Sequence, residues 1–116
     1  MVRLWWCMCL IGLSLFSSVA ECHTRLISSN PARDQVLGHS PGHLTLTFSA
    51  PVESEFSRIE LVKEKDQAWQ VLKVRVDGKT VHGDLPKLLP GTYVVRWRVL
   101  ARDGHAQRGQ FRFELR

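Results

Sequence analysis

Asp103, Gly104 and His105 are consecutive, so a carboxylate and an imidazole stand two residues apart. In an extended segment, residues i and i+2 point to the same side about 6.5 Å apart, so both groups can reach one metal ion. Gly104 between them has no side chain to obstruct the approach and tolerates unusual dihedrals. The same tripeptide is also an ordinary turn carrying a surface histidine, so its chemistry depends on a further donor. His23 offers one if it begins the mature chain, because a terminal histidine chelates through its α-amine and ring Nδ1 together. One amine, two imidazoles and a carboxylate form an N,N,N,O set. That set suits the tetragonal preference of Cu(II), which also stands at the top of the divalent affinity order. Zn(II) takes the same ligands but prefers a tetrahedron. An exposed, loose terminus is the competing reading of His23, and convergence with His105 is what lifts it above that.

Whether His23 is terminal depends on the first 22 residues, which read as an export signal. Arg3 is basic, Leu4 to Phe16 is apolar, and Ser17 to Cys22 is small and polar. The apolar run falls short of the roughly 20 residues a spanning helix needs. Cleavage after Cys22 fits the small-x-small rule, with Ala20 and Cys22 flanking Glu21. Cleavage after Ala20 and lipid attachment at Cys22 are the rival outcomes. All three cysteines (Cys7, Cys9 and Cys22) and both methionines (Met1 and Met8) lie in this segment. A mature chain of residues 23–116 therefore has no disulfide framework and no sulfur ligand for a soft Cu(I) site.

The elements that must position these donors are strands. Leu44, Leu46 and Phe48 alternate with Thr45 and Thr47; Ile59 and Leu61 alternate with Arg58 and Glu60. Leu72, Val74 and Val76 run into Asp77-Gly78, a two-residue hairpin signal, after which Thr80 to His82 returns. Pro90-Gly91 opens the longest strand, with Tyr93, Val95, Trp97 and Val99 on one face, and Phe111, Phe113 and Leu115 repeat the pattern. With an early strand at Arg25 to Ser29, the pattern predicts an all-β fold: a single antiparallel sandwich of about seven short strands. It is expected to bury roughly 60% of its unfolded surface. Trp97 and Trp69, each in an alternating stretch, are expected in the core. The formal charge of +5 raises nucleic acid as a partner. Arg58, Arg75, Arg96, Arg98, Arg102, Arg108 and Arg112 alternate with apolar residues, however, so a solvated sheet face accounts for the charge. No nucleic acid is expected, and an anionic membrane surface is at most a minor contact. His39, His43 and His82 read as solvent-exposed, with His39 and His43 close enough in sequence for a weak adventitious metal site.

The residues resemble a known family. His23-Thr24-Arg25-Leu26-Ile27-Ser28-Ser29-Asn30-Pro31-Ala32 is similar to the mature start of CopC proteins, where histidine opens the chain and Ser-Ser-x-Pro-Ala follows. Leu46-Thr47-Phe48-Ser49 resembles the family's second strand. Pro90-Gly91-Thr92-Tyr93, Trp97-Arg98, Asp103-Gly104-His105 and Gly109-Gln110-Phe111 resemble its C-terminal signature. The resemblance implies a domain over residues 23–116 with an immunoglobulin-like, Greek-key β-sandwich fold. It also implies a periplasmic location and one Cu(II) per chain held by His23, Asp103 and His105. Two positions differ: Arg25 stands where many members have a second histidine, and Ala50 where several have an acidic residue. Some members hold Cu(I) in a methionine-rich loop, which this chain lacks.

Three function classes follow. The resemblance implies a monomeric copper carrier or buffer acting in copper homeostasis or resistance, not an enzyme, that serves an inner-membrane copper transporter of the CopD type. A histidine-brace oxygenase uses the same terminal chelate but must keep a coordination position open for oxygen, which the Asp103 carboxylate would fill. A metal-free interaction module is the third class, since fold does not fix function.

Overall fold

The structure is a computed structural model and describes residues 24–116. The expected signal segment 1–22, its cleavage point and His23 lie outside the described residues. Nine strands form among the described residues: β1 Leu26–Asn30, β2 Val36–Leu37, β3 His43–Phe48, β4 Arg58–Lys63, β5 Gln70–Val71, β6 Val74–Asp77, β7 Thr80–Asp84, β8 Gly91–Leu100 and β9 Ala106–Leu115. They make a four-stranded sheet in the order β1-β3-β7-β6 and a five-stranded sheet in the order β2-β9-β8-β4-β5. This is the sandwich that the alternation predicts, in the immunoglobulin-like form that the family resemblance implies, with two strands more than expected. The additions, β2 and β5, are two residues long, too short to show any period. β2 also runs parallel to β9, a local exception to the antiparallel expectation. It is held there by backbone bonds from Asp34 N–H to the Arg112 carbonyl and from Glu114 N–H to the Gln35 carbonyl.

The core is the set of inward positions. Leu44, Leu46 and Phe48 of β3 and Val81 of β7 face Ile59 and Leu61 of β4, Val95, Trp97 and Val99 of β8, and Phe111 and Phe113 of β9, all buried. Phe48 meets Trp97 edge to face with ring centroids 5.1 Å apart, joining the two sheets. The expected strand from Leu72 to Val76 is broken. Leu72 N–H donates to the Ile59 carbonyl in one sheet, whereas Val74 pairs with Gly83 in the other. The chain changes sheets between them, and Leu72 is buried in the crossing. The Asp-Gly signal does mark a hairpin, with Asp77 opposite Thr80 and Gly78-Lys79 as the loop. Gly78 has φ 59°, the left-handed conformation that a tight two-residue loop needs.

Trp69 departs from the expectation of a core position. It is only partly buried, and the Arg96 guanidinium lies over its ring at 3.9 Å. The segment before β5 folds back over the outer face of the five-stranded sheet, so its aromatic caps a cation instead of filling the core. Arg96 also grips Glu60 through Nε at 3.2 Å and Nη2 at 3.1 Å. The Arg96 hydrogen bonds, helped by Arg58, hold the Glu60 carboxyl below its ordinary value of 4.5 against the opposing effect of burial. A lowered acid pKa contributes stability above the unfolded value, and that contribution is lost as pH falls through the folded one. Glu60→Gln is therefore expected to lower stability by about 1 kcal/mol at neutral pH. Denaturant melts of both proteins should converge as the pH drops below that ordinary value, and a gap that persists in acid would show that the pair is not its source.

Candidate metal centre

β8 and β9 pair without interruption from Gly91 opposite Leu115 to Leu100 opposite Ala106. This register makes residues 101–105 the loop of a long hairpin. Ala101 N–H donates to the His105 carbonyl at 2.9 Å, and Gly104 N–H donates to the Ala101 carbonyl at 3.0 Å. Gly104 takes φ 91°, with nothing within 4 Å of where a Cβ would stand, so backbone conformation rather than crowding calls for glycine.

The loop brings Asp103 and His105 together, by a different route from the one the spacing suggests. The segment is a turn, not an extended strand. Oδ1 of Asp103 accepts a hydrogen bond from the His105 backbone N–H at 3.0 Å, the turn-capturing role of aspartate. Oδ2 then lies 3.2 Å from His105 Nδ1. Carboxylate and imidazole share one end of the molecule, with side chains 46% and 66% exposed, so an ion from solvent can reach both.

Two side chains do not complete a metal site. Among the described residues, no group of three or more His, Cys, Asp or Glu is arranged to hold an ion. The start of the described chain runs toward this loop. Arg25 N–H donates to Ser49 Oγ at 3.0 Å, and the Arg25 carbonyl accepts from Ser49 N–H at 2.8 Å. Three residues after Ser49, Val52 bridges to Ala101, the first residue of the loop. Thr24, next to His23, is buried.

The other histidines are arranged differently from their order in the sequence. His39 is exposed in the loop before β3. His43, which the sequence groups with His39, instead stands opposite Asp84, with Nδ1 3.6 Å from Oδ1. It shares an open groove with His82, Lys73 and Arg75. The pairing of β7 with β3 on one side and with β6 on the other creates that neighbourhood.

Comparison with known proteins agrees with this architecture. The CopC domain model matches residues 26–116. The copper resistance protein C of Pseudomonas syringae pv. tomato is 30% identical over 111 residues, covering 88% of this chain and 87% of that protein. Protein YobA of Escherichia coli K12 is also 30% identical over 111 residues, covering 92% and 90%. The crystal structure of CopC from Methylosinus trichosporium OB3b superimposes with a TM-score of 0.73 at 26% identity, over 80% of this chain and 93% of that one.

Proposed function

The chain belongs to the CopC family, and on that premise we propose that it is a periplasmic copper-binding protein. It holds one Cu(II) through the α-amine and imidazole of His23 together with Asp103 and His105. The observation that carries this reading is the β8–β9 loop, which sets a carboxylate oxygen 3.2 Å from an imidazole nitrogen at an exposed end of a rigid hairpin. The connection from Arg25 through Ser49 and Val52 to Ala101 supports it by bringing the chain start toward the same end. The donors are hard and borderline, which suits Cu(II) and disfavours Cu(I).

His105 supplies a nitrogen donor. Asp103 has two roles: one carboxylate oxygen holds the loop through the His105 N–H, and the other remains beside the imidazole to meet the ion. Thr24 and the Arg25–Ser49 bonds anchor the segment that carries His23. With a carboxylate at the fourth position, the protein carries or buffers copper and does not activate oxygen on it. The domain acts as a monomer in copper homeostasis or resistance and passes the ion to a membrane partner of the CopD type.

Competition of the exported protein against a Cu(II)-chelating probe, with its first residue read by mass spectrometry, tests the site. One Cu(II) per chain is expected, with weak Cu(I) retention. His105→Ala should lower Cu(II) affinity by more than about a hundredfold, since even outer-shell losses cost 10- to 100-fold. Asp103→Asn should cost less, because the amide still accepts the His105 N–H. A protein that begins at His23 and binds no Cu(II), or a His105→Ala variant of undiminished affinity, would end the reading. Oxygen consumption under a reductant would point to the oxygenase instead.

A further inference from the structure

The basic residues on the outer face of the five-stranded sheet form a pattern that the copper site does not use. Arg58 on β4 stands directly opposite Arg98 on β8, and Arg98 stands directly opposite Arg108 on β9. Three guanidinium groups thus lie in one row across three neighbouring strands, over about 10 Å, and all three are exposed. Like charges directly opposite each other on a sheet destabilise it. The next row along the same strands is Glu60, Arg96 and Gln110. There the sheet supplies its own carboxylate, gripped by two nitrogens of Arg96 and approached by Arg58 Nε at 3.5 Å. In the arginine row, Arg98 and Arg108 have no carboxylate within salt-bridge distance among the described residues.

We infer that this row is a docking surface for an acidic segment of a partner protein, whose Asp or Glu side chains supply the carboxylates that the sheet itself supplies one row away. The chemistry favours a protein over a lipid surface. All the outward-facing cations of β4, β8 and β9 are arginines (Arg58, Arg96, Arg98, Arg108 and Arg112), whose planar forks match carboxylates bidentately, where lysine would serve a diffuse negative surface equally well. Phe56, 59% exposed, lies two residues before Arg58, and arginine with aromatics is the composition of protein interfaces. The row is two residues from the end of β8 and two from the start of β9, beside the loop that carries Asp103 and His105. A bound partner would therefore sit next to that loop. The inference itself rests on strand register and charge, not on copper binding.

The test is fluorescence anisotropy of a labelled hexaglutamate peptide with the exported protein at about 50 mM salt, a regime in which exposed charges are weakly screened. Arg98→Gln/Arg108→Gln should weaken binding at least tenfold, whereas Lys73→Gln/Arg75→Gln, which removes the same charge from the other sheet, should change it less than twofold. The first variant should also melt at the same or a higher temperature, because repulsion is relieved. Equal losses in the two variants would reduce the effect to net charge. A lower melting temperature would make the arginines structural, and either result overturns the inference. So would the absence of peptide binding, or phosphatidylglycerol vesicles binding through Arg98 and Arg108 more tightly than the peptide does.

Discussion

A single extra residue ahead of His23 is expected to lower Cu(II) affinity by more than about a hundredfold while the sandwich stays folded. In the proposed site the α-amine is one of four donors, and it closes a chelate ring with the imidazole of the same residue. Acylating it by one more peptide bond turns a strong amine donor into an amide nitrogen, which cannot bind without losing its proton. Loss of an inner-shell donor should exceed the 10- to 100-fold that outer-shell changes cost. The fold has no reason to respond, because β1 begins at Leu26 and its first bonds run from Arg25 to Ser49. The measurement is Cu(II) competition on two proteins, one beginning at His23 and one with a single Gly ahead of it, with matching circular dichroism and melting temperature as the control. Equal affinities would remove the terminal amine from the site. Asp103 and His105 would then have to bind with some other donor.

The second large effect is on stability and lies under the hairpin that carries the loop. Gly109→Ala is expected to cost about 2 to 3 kcal/mol, the upper range for overpacking a core, and to lower Tm by at least about 8 °C. Trp97 and Gly109 are cross-strand partners, and the indole lies over the glycine. A Cβ at residue 109 would stand 2.6 Å from Trp97 Cζ2 and 2.8 Å from Cε2. The ring cannot retreat, because Phe48 packs against it from the opposite sheet. In a Trp97→Phe background the same Gly109→Ala change should cost under about 1 kcal/mol, because the single phenyl ring lacks the fused edge of the indole that carries Cζ2, the atom of closest approach. Thermal melts of the four proteins form a double-mutant cycle. Gly109→Ala with an unchanged Tm, or with the same cost in both backgrounds, would show that the glycine serves some other purpose.

Much of this molecule follows from the order of its residues. Period-two alternation marks β3, β4, β8 and β9, because a strand packed on one face must send every second side chain to the core. The positions it names, Leu44 to Phe48 and Tyr93 to Val99 among them, are the buried ones. Asp103 and His105 are legible as a pair because a two-residue separation keeps them close in almost any local conformation. The geometry of that pair was not legible. The spacing suggests an extended strand, but the β8–β9 register closes a hairpin there and drives Gly104 to positive φ. Two-residue strands such as β2 and β5 carry no period, and the break at Leu72 depends on which sheet each neighbour joins. Cross-strand neighbourhoods lie further beyond any local reading. Arg58, Arg98 and Arg108 are separated by 40 and 10 positions, Trp69 and Arg96 by 27, and His43 and Asp84 by 41. Nothing in composition or spacing brings them together, because register is set by the whole buried face of each strand at once. Alternation in the sequence marks the buried faces of the long strands and which two residues stand in the loop; tertiary pairing decides which charges face one another across the sheet and puts Trp69 over Arg96 instead of in the core.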